Sequence, residues 1–374
     1  MSSTPAWATI EALATDCRWF RGDVPCFPHK REGVHCLDAG GRRCPHYQRQ
    51  TSNILIIKLG AAGDVIRTTP LLRRIRVAAP EARIWWLTHT PELLERAVDV
   101  ALPFTPQSLV TLQATTFDTI YNLDKDREAC ALATLLPAGQ KRGFVLHDGK
   151  PSPVDHASHH KFLTGVFDDL SRVNRKHYVE EVFEICGFPF EGEKYLLDAY
   201  SDRGFRWKLP ARKPVVGLNT GCGGRWITRR WADDHWTSLA RRLKRLGYTV
   251  LLLGGPQEDT VNKKIAKASG ALYFGHFPLP QFINEVDQCH LVVTAVTMAM
   301  HIAIGLEKKL VLFNNVFNKH EFELYGLGTI LEPDGGCTCY YAAQCTDPRY
   351  TPSGCMTNLH VRSVVEAVRQ LLPL

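Results

Sequence analysis

No run of about 18 apolar residues occurs in this chain of 374 residues, so none of its helices is expected to span a membrane. The stretch from Met1 to Asp16 lacks both a basic start and a continuous apolar core, which argues against a secretory signal. A cytoplasmic setting is therefore expected. No glycine spacing fits a P-loop or a dinucleotide fingerprint, and neither a low-complexity tract nor a short-period repeat is present. Acidity is in deficit: 45 Lys and Arg against 38 Asp and Glu leave a net charge of +7, which suits an acidic partner without naming one. Composition, 45% hydrophobic and 22% charged, is that of a soluble globular protein long enough for two ordinary domains.

Also missing is any C-x2-C knuckle, the spacing of common zinc fingers. Cysteine itself is abundant, with twelve residues. A reducing compartment disfavours structural disulfides and leaves metal binding or plain burial. Cys130, Cys186, Cys222 and Cys289 are scattered and read as small buried side chains. The other eight form two quartets, Cys17, Cys26, Cys36 and Cys44 in a leader, and Cys337, Cys339, Cys345 and Cys355 in a tail. Both segments are rich in Gly, Pro and Arg and bury little apolar surface, so a thiolate-held structural metal, zinc first and iron second, is expected at each. Reduced free thiols are the alternative.

Strands and helices alternate from Asn53 onward: strands at 53–58, 83–88 and 119–123, helices at 65–78, 91–97 and 127–136, then a helical stretch over 159–185. The pattern restarts after a polar segment, with strands at 214–219, 248–253, 290–294 and 309–313 and helices at 233–246, 257–268 and 298–304. Apolar strands alternating with helices predict parallel sheets covered on both faces. Two such halves imply a cleft at the carboxyl ends of their strands.

The loops facing that cleft carry the chemistry. Leu59-Gly60-Ala61-Ala62-Gly63-Asp64-Val65 follows the first strand and opens a helix, with Asp64 placed as an N-cap candidate. Asn219-Thr220-Gly221-Cys222-Gly223-Gly224, followed by Thr228 and Arg229, reads as an anion cradle of backbone N–H groups, hydroxyls and a guanidinium fork. Glu258 follows Gly254-Gly255 and suits ribose hydroxyls, or is an ordinary acid at a helix start. Thr297 and Met298 begin a helix aimed at the cleft, and His301 ends its first turn, where packing is the competing role. Lys58, Arg67 and Lys125 are candidates for acceptor phosphates. Asp124-Lys125-Asp126 matches a D-x-D metal motif only superficially, because it follows a strand of the first half.

Together these turns resemble glycosyltransferase family 9, the ADP-heptose heptosyltransferases of lipopolysaccharide core assembly, from about Asn53 to Phe317. The most specific element is Leu59-Gly60-x-x-Gly63-Asp64-Val65 followed by Thr68-x-Pro70-Leu71. The resemblance implies a GT-B fold: a leader over 1–50, a Rossmann-like acceptor domain over 51–205, and a Rossmann-like nucleotide-sugar domain over 206–374 that holds the cysteine-rich tail, 337–355. It implies heptose transfer with inversion and no catalytic cofactor, Asp64 as general base, and a diphosphate held by Thr220, Gly221 and Arg229. The expected partners are an ADP-sugar and a phosphorylated glycolipid or protein acceptor, with peripheral contact to the inner membrane surface; nucleic acid is not expected.

One departure stands out. The family's Asp-Thr-Gly-x-x-His reads Val296-Thr297-Met298-Ala299-Met300-His301 here, so the carboxylate used near the donor sugar is missing. The Val-Thr-Met-x-x-His stretch, Leu312-Phe313-Asn314-Asn315 and the cysteine-rich tail are similar to autotransporter protein heptosyltransferases with a cysteine-held iron, which supplies a second reading. A transferase-like scaffold without activity is a third.

Overall fold

The computed structural model describes residues 5, 7–210, 212–345, 347–350 and 354–374. The leader carries one short helix, α1 (Phe27–Glu32), and the first sheet begins with β1 (Ser52–Ile57). There follow α2 (Ala62–Thr68), α3 (Pro70–Ala78), β2 (Ala82–Thr88), β3 (Val100–Pro103), α4 (Pro106–Gln113), β4 (Phe117–Asn122), α5 (Arg127–Leu135), β5 (Ala138–His147) and β6 (Lys150–Pro153). The strands lie in the order β3-β2-β1-β4-β5-β6, parallel except for the β5–β6 hairpin. Three helices, α6 (His159–Thr164), α7 (Asp168–Val173) and α8 (Tyr178–Cys186), close this half.

The second sheet holds β7 (Val215–Asn219), β8 (Thr249–Leu253), β9 (Leu291–Ala295), β10 (Lys309–Phe313) and β11 (Gly328–Leu331). Its order is β11-β10-β9-β7-β8, all parallel. Helices α9 (Asp233–Leu246), α10 (Asp259–Ser269), α11 (Leu279–Asp287), α12 (Met298–Gly305) and α13 (Val361–Leu371) cover it. Strands β7, β8 and β9 are buried at every position, as parallel strands covered on both faces must be.

Several expected elements differ. A single helix over 65–78 is interrupted because Pro70 has no N–H to continue the ladder, and the chain turns at Thr69, whose hydroxyl bonds the Ile66 carbonyl at 2.7 Å. The expected helix over 91–97 is a short 3-10 turn, Pro91–Leu93. The long helical stretch is three short helices broken at Gly165 and Asn174.

One apolar cluster runs through both halves, taking Val65, Ile66 and Leu71 from the first and Ile283, Met300 and Ile302 from the second. The two α/β domains therefore pack directly on each other, and the chain between them threads the seam: Leu196 N–H donates to Thr69 Oγ1 at 2.9 Å, and a Cβ on Gly305 would lie 3.0 Å from Leu197. Among the described residues no helix is long and apolar enough to cross a membrane.

Candidate active site

The first loop is built on a buried ion pair. Lys58, which leaves β1, donates to Asp124, and the other carboxylate oxygen of Asp124 accepts the Leu59 N–H. Asn122 Oδ1 accepts the Asp124 N–H at 3.1 Å and fixes the acid in place. Burial alone would lower the Lys58 pKa; the negative groups around it, the Asp124 and Asp64 carboxylates among them, more than offset this and raise it. Lys58 is sealed and does not present itself to an acceptor phosphate, which corrects that expectation. Asp124 is likewise spent as a counterion, which disposes of the D-x-D alternative.

Asp64 is the third residue of α2 rather than its N-cap, a role that falls to Ala61. From there its Oδ2 reaches back to the Ala61 N–H at 3.3 Å, and Oδ1 pairs with Arg67 Nη2 at 2.8 Å. The Asp64 side chain keeps 33% of its exposure against 15% for Arg67, so the carboxylate is the accessible partner. Burial pushes its pKa up, but Arg67 and then Lys58 outweigh it and hold the carboxylate below its ordinary range. It is ionised at neutral pH. Arg67 stacks over the Tyr178 ring at 3.4 Å, so its charge serves to hold Asp64 and is not open to solvent as an acceptor ligand.

The two halves meet at Asp64's neighbour. A Cβ on Gly63 would come within 2.7 Å of His301 Cδ2 and 3.5 Å of Met298 Cα, so only glycine lets α2 approach α12 this closely. His301 itself is buried, stacked on Tyr195 with its Nδ1 3.5 Å from the Tyr195 hydroxyl. Burial, then the nearby Arg67, drives its pKa down to about 3, so it is a neutral packing residue and brings no charge to a donor.

On the facing side, Arg229 is buried, with 8% exposure, and has no carboxylate partner among the described residues. Its guanidinium donates to the carbonyls of Val296 and Cys222 and, from Nε, to Trp226 O at 3.3 Å. Burial lowers its pKa, yet a guanidinium stays charged. The fork is thus aligned by its own loop and leaves a net positive charge uncompensated. Thr220 Oγ1 donates to Asn262 at 2.6 Å, and Thr228 Oγ1 to Ala342 O at 3.3 Å, so both hydroxyls brace the loop. A Cβ on Gly221 would lie 2.6 Å from the Glu258 carboxyl, whose Oε2 accepts the Gly255 N–H at 2.9 Å; the glycine makes room for the acid. Thr297 caps α12 with extended backbone while its hydroxyl meets Thr294 Oγ1 at 3.0 Å, and Met298 follows as the first helical residue.

Lys125 is different in kind. It follows β4 beside the sealed Lys58–Asp124 pair, with Nζ 6.0 Å from both the Phe144 and Phe162 rings and no hydrogen bond or ion pair among the described residues. Burial first, then the charge of Lys161, lowers its pKa to about 8. Lys161 is already committed to Glu181 at 2.6 Å.

Residues 109–325 match the family described as glycosyltransferase family 9 (heptosyltransferase). The chain belongs to this family. It is 24% identical over 299 residues to lipooligosaccharide heptosyltransferase 2 of Haemophilus influenzae, covering 69% of this chain and 82% of that protein. Among solved structures it is similar to a family 9 glycosyltransferase from Veillonella parvula (TM-score 0.63, 17% identity, 86% and 97% of the two chains). It is also similar to the ADP-heptose lipopolysaccharide heptosyltransferase II of Escherichia coli (TM-score 0.61, 17% identity, 86% and 98%). A third likeness is to the iron-containing dodecameric glycosyltransferase TibC of enterotoxigenic E. coli (TM-score 0.54, 14% identity, 86% and 76%). The fold is the GT-B arrangement expected of a family 9 glycosyltransferase, and the chain is an enzyme of that heptosyltransferase-like class.

The cysteines of this family 9 enzyme divide sharply. In the tail, Cys339 Sγ lies 3.6 Å from Cys345 Sγ, and Cys337 shares a hydrogen bond with Cys355. The Cys339–Cys345 spacing is close to the ~3.8 Å edge of a tetrahedron of thiolates at zinc–sulfur distance. In the leader, Cys36 and Cys44 meet through a backbone bond of 2.9 Å, Cys26 heads α1, and Cys17 bridges to Arg49. Among the described residues no three or more His, Cys, Asp or Glu side chains are arranged to hold a metal ion. Tyr178 beneath Arg67 and Tyr195 against His301, which the sequence did not single out, complete the site, and Asn219, at the head of the glycine loop, contacts Thr294 at 3.0 Å and Thr297 at 3.4 Å through Nδ2. Asn219 alone carried a local signal, standing at the carboxyl end of an apolar strand.

Proposed function

We propose that the protein transfers heptose from ADP-heptose, with inversion at the anomeric carbon, to an anionic glycolipid of the lipopolysaccharide core type. The observation that carries this reading is that one strand-to-helix turn holds an accessible, ionised Asp64 and the other an Arg229 with no carboxylate partner among the described residues. Asp64 takes the proton of the acceptor hydroxyl as that oxygen attacks. Arg229 and the N–H groups at the head of α12 take up the negative charge that grows on the departing ADP. Glu258, set into the glycine turns of the donor domain, suits the ribose hydroxyls. No step calls for a cofactor. Lys125, half-buried beside the Lys58–Asp124 pair and without a hydrogen bond or ion pair among the described residues, would receive an anionic group of the acceptor. The enzyme would work in the cytoplasm against the inner membrane surface.

A second reading, protein O-heptosyl transfer of the autotransporter type, is favoured by Val296 in place of a carboxylate and by the paired tail thiols. If a structural metal is present, Cys337, Cys339, Cys345 and Cys355 would hold it and it would supply folding energy to the tail. Elemental analysis of chelator-free protein checks this: at least about half a metal per chain supports it, and freely titratable thiols without metal oppose it. An inactive scaffold would rest on Val296 alone, and Asp64 and Arg229 argue against it.

Calorimetry with ADP, UDP and GDP, followed by transfer from ADP-heptose to lipopolysaccharide-core and protein acceptors, tests the main proposal. Preference for ADP and transfer to the glycolipid support it. Equal binding of all three nucleotides sinks the donor assignment, and transfer to protein alone moves the conclusion to the second reading.

A further inference from the structure

The tail touches both domains through two adjacent tyrosines. On the acceptor side, the Tyr340 hydroxyl donates to Ser171 Oγ at 3.0 Å, and Arg172 stacks over the Tyr340 ring at 4.6 Å; both partners belong to α7. Nearby, Asn318 Nδ2 donates to the carbonyls of Ser171 at 2.8 Å and Asn174 at 2.7 Å, so α7 is held to the donor domain at two points. On the donor side, the Tyr341 ring packs edge-on against Trp226 at 6.2 Å and Phe317 at 5.3 Å. Phe317 in turn lies 5.4 Å beneath the Arg229 guanidinium. The next residue, Ala342, accepts the Thr228 hydroxyl, and Asn315 Nδ2 links the Thr228 carbonyl at 2.9 Å to Cys355 Sγ at 3.4 Å. The Tyr341 hydroxyl donates to Glu321, whose charge bears on Arg67, the partner of Asp64.

We infer that Tyr340 and Tyr341 are positioning residues, and that the cysteine-bearing tail is a strap tying the Arg229 loop of the donor domain to helix α7 of the acceptor domain. Tyr340 reaches α7, Tyr341 and Ala342 reach the Arg229 loop, and the segment 315–318 after β10 backs both contacts, so none of these residues needs to touch substrate. In-line transfer needs the two domains aligned when the bond forms, because an error of about 1 Å in alignment costs on the order of 10²-fold in rate. A strap anchored at Thr228 on one side and Ser171 on the other sets that alignment. Its own shape rests on the Cys339–Cys345 contact and on the Asn315–Cys355 contact, since the segment has few apolar side chains to bury.

The inference rests in part on the transfer reading of the cleft, so the test has an arm free of ligand. Amide hydrogen exchange is followed over α7 in the wild type, Tyr340→Ala and Tyr340→Phe. Tyr340→Ala removes both the hydroxyl bond and the ring under Arg172, and is expected to speed exchange over 168–173 about tenfold while leaving α3 and the leader unchanged. Tyr340→Phe keeps the ring and is expected to recover most of the protection. Cys339→Ser with Cys345→Ser should reproduce the Tyr340→Ala pattern if the thiols shape the strap. In the second arm, ADP affinity is measured by calorimetry and turnover by hydrolysis of ADP-heptose. Tyr340→Ala is expected to lower kcat about tenfold with the ADP dissociation constant within twofold, because ADP contacts the donor domain alone. Unchanged exchange over α7 in Tyr340→Ala overturns the strap, and so does a parallel loss of ADP affinity and kcat, which would make Tyr340 a simple support of the donor loop. If the wild type neither binds ADP nor turns over its sugar, the cleft reading fails and the exchange arm alone decides the strap.

Discussion

The two strand-to-helix turns that face each other across the seam manage charge in opposite ways. The first, at residues 58–68, closes its charges on themselves: Lys58 on Asp124, Arg67 on Asp64. The second, at residues 219–231, sets the Arg229 guanidinium among backbone carbonyls, with no carboxylate partner among the described residues. A buried charge without a counterion is expensive to keep, and the loop keeps it only by aligned hydrogen bonds. The contrast teaches which side awaits an anion. On the proposed transfer reading, the first turn pairs its carboxylate so that it stays ionised, and the second would be completed by a diphosphate.

The comparison breaks most readily at Asp64. Asp64→Asn keeps size and helix position but has no useful proton affinity, so transfer is expected to fall by about 10²- to 10⁴-fold, with the fold and ADP binding intact. A variant transferring within about threefold of wild type at saturating donor ends the catalytic assignment. Next in size is the sealed pair. Asp124→Ala strands the buried Lys58 ammonium and is expected to cost about 3–5 kcal/mol of stability, read by urea unfolding. Removing both charges with Lys58→Met and Asp124→Leu should recover much of that loss, and no recovery would mean that Asp124 matters for its bond to Leu59 N–H instead. On the other turn, Arg229→Ala removes a charge-assisted bond to the diphosphate and is expected to weaken ADP binding by about 2–3 kcal/mol. Equal ADP affinity in calorimetry contradicts the cradle.

Much of this contrast was legible in the sequence because both turns are local. Apolar strand, glycines and helix start lie within a dozen residues, and the helix over Asp233–Leu246 and the strand over Lys309–Phe313 fall where periodicity put them. What escaped was set by distant neighbours. Asp124 reads as one half of a metal motif until Lys58, 66 residues away, is seen to claim it. His301 reads as a ligand until Gly63 and Tyr195 enclose it. Strand β5 was missed because its first half, Gln140-Lys141-Arg142, is polar and only partly covered, so no apolar run announces it. Thr228 points its hydroxyl at the tail, 114 residues on, which no motif around it shows.

The smallest expected effect sharpens the comparison by pH. Arg229 cannot titrate in the accessible range, whereas Lys125, which follows β4 in the first half, has its pKa brought down to about 8 by burial and by Lys161. An anionic acceptor group prefers the protonated ammonium, so its affinity is full below about pH 7 and is lost as pH rises through 8. At pH 9 only about a tenth of Lys125 remains protonated in the free enzyme, so the KM for an anionic acceptor is expected to rise by up to about tenfold between pH 7 and 9, while ADP affinity stays flat. Lys125→Met should show the raised KM already at pH 7 and no further rise, and Lys125→Arg should keep the low KM across the range. A KM that climbs equally in Lys125→Arg would assign the titration to another group and remove Lys125 from the acceptor site.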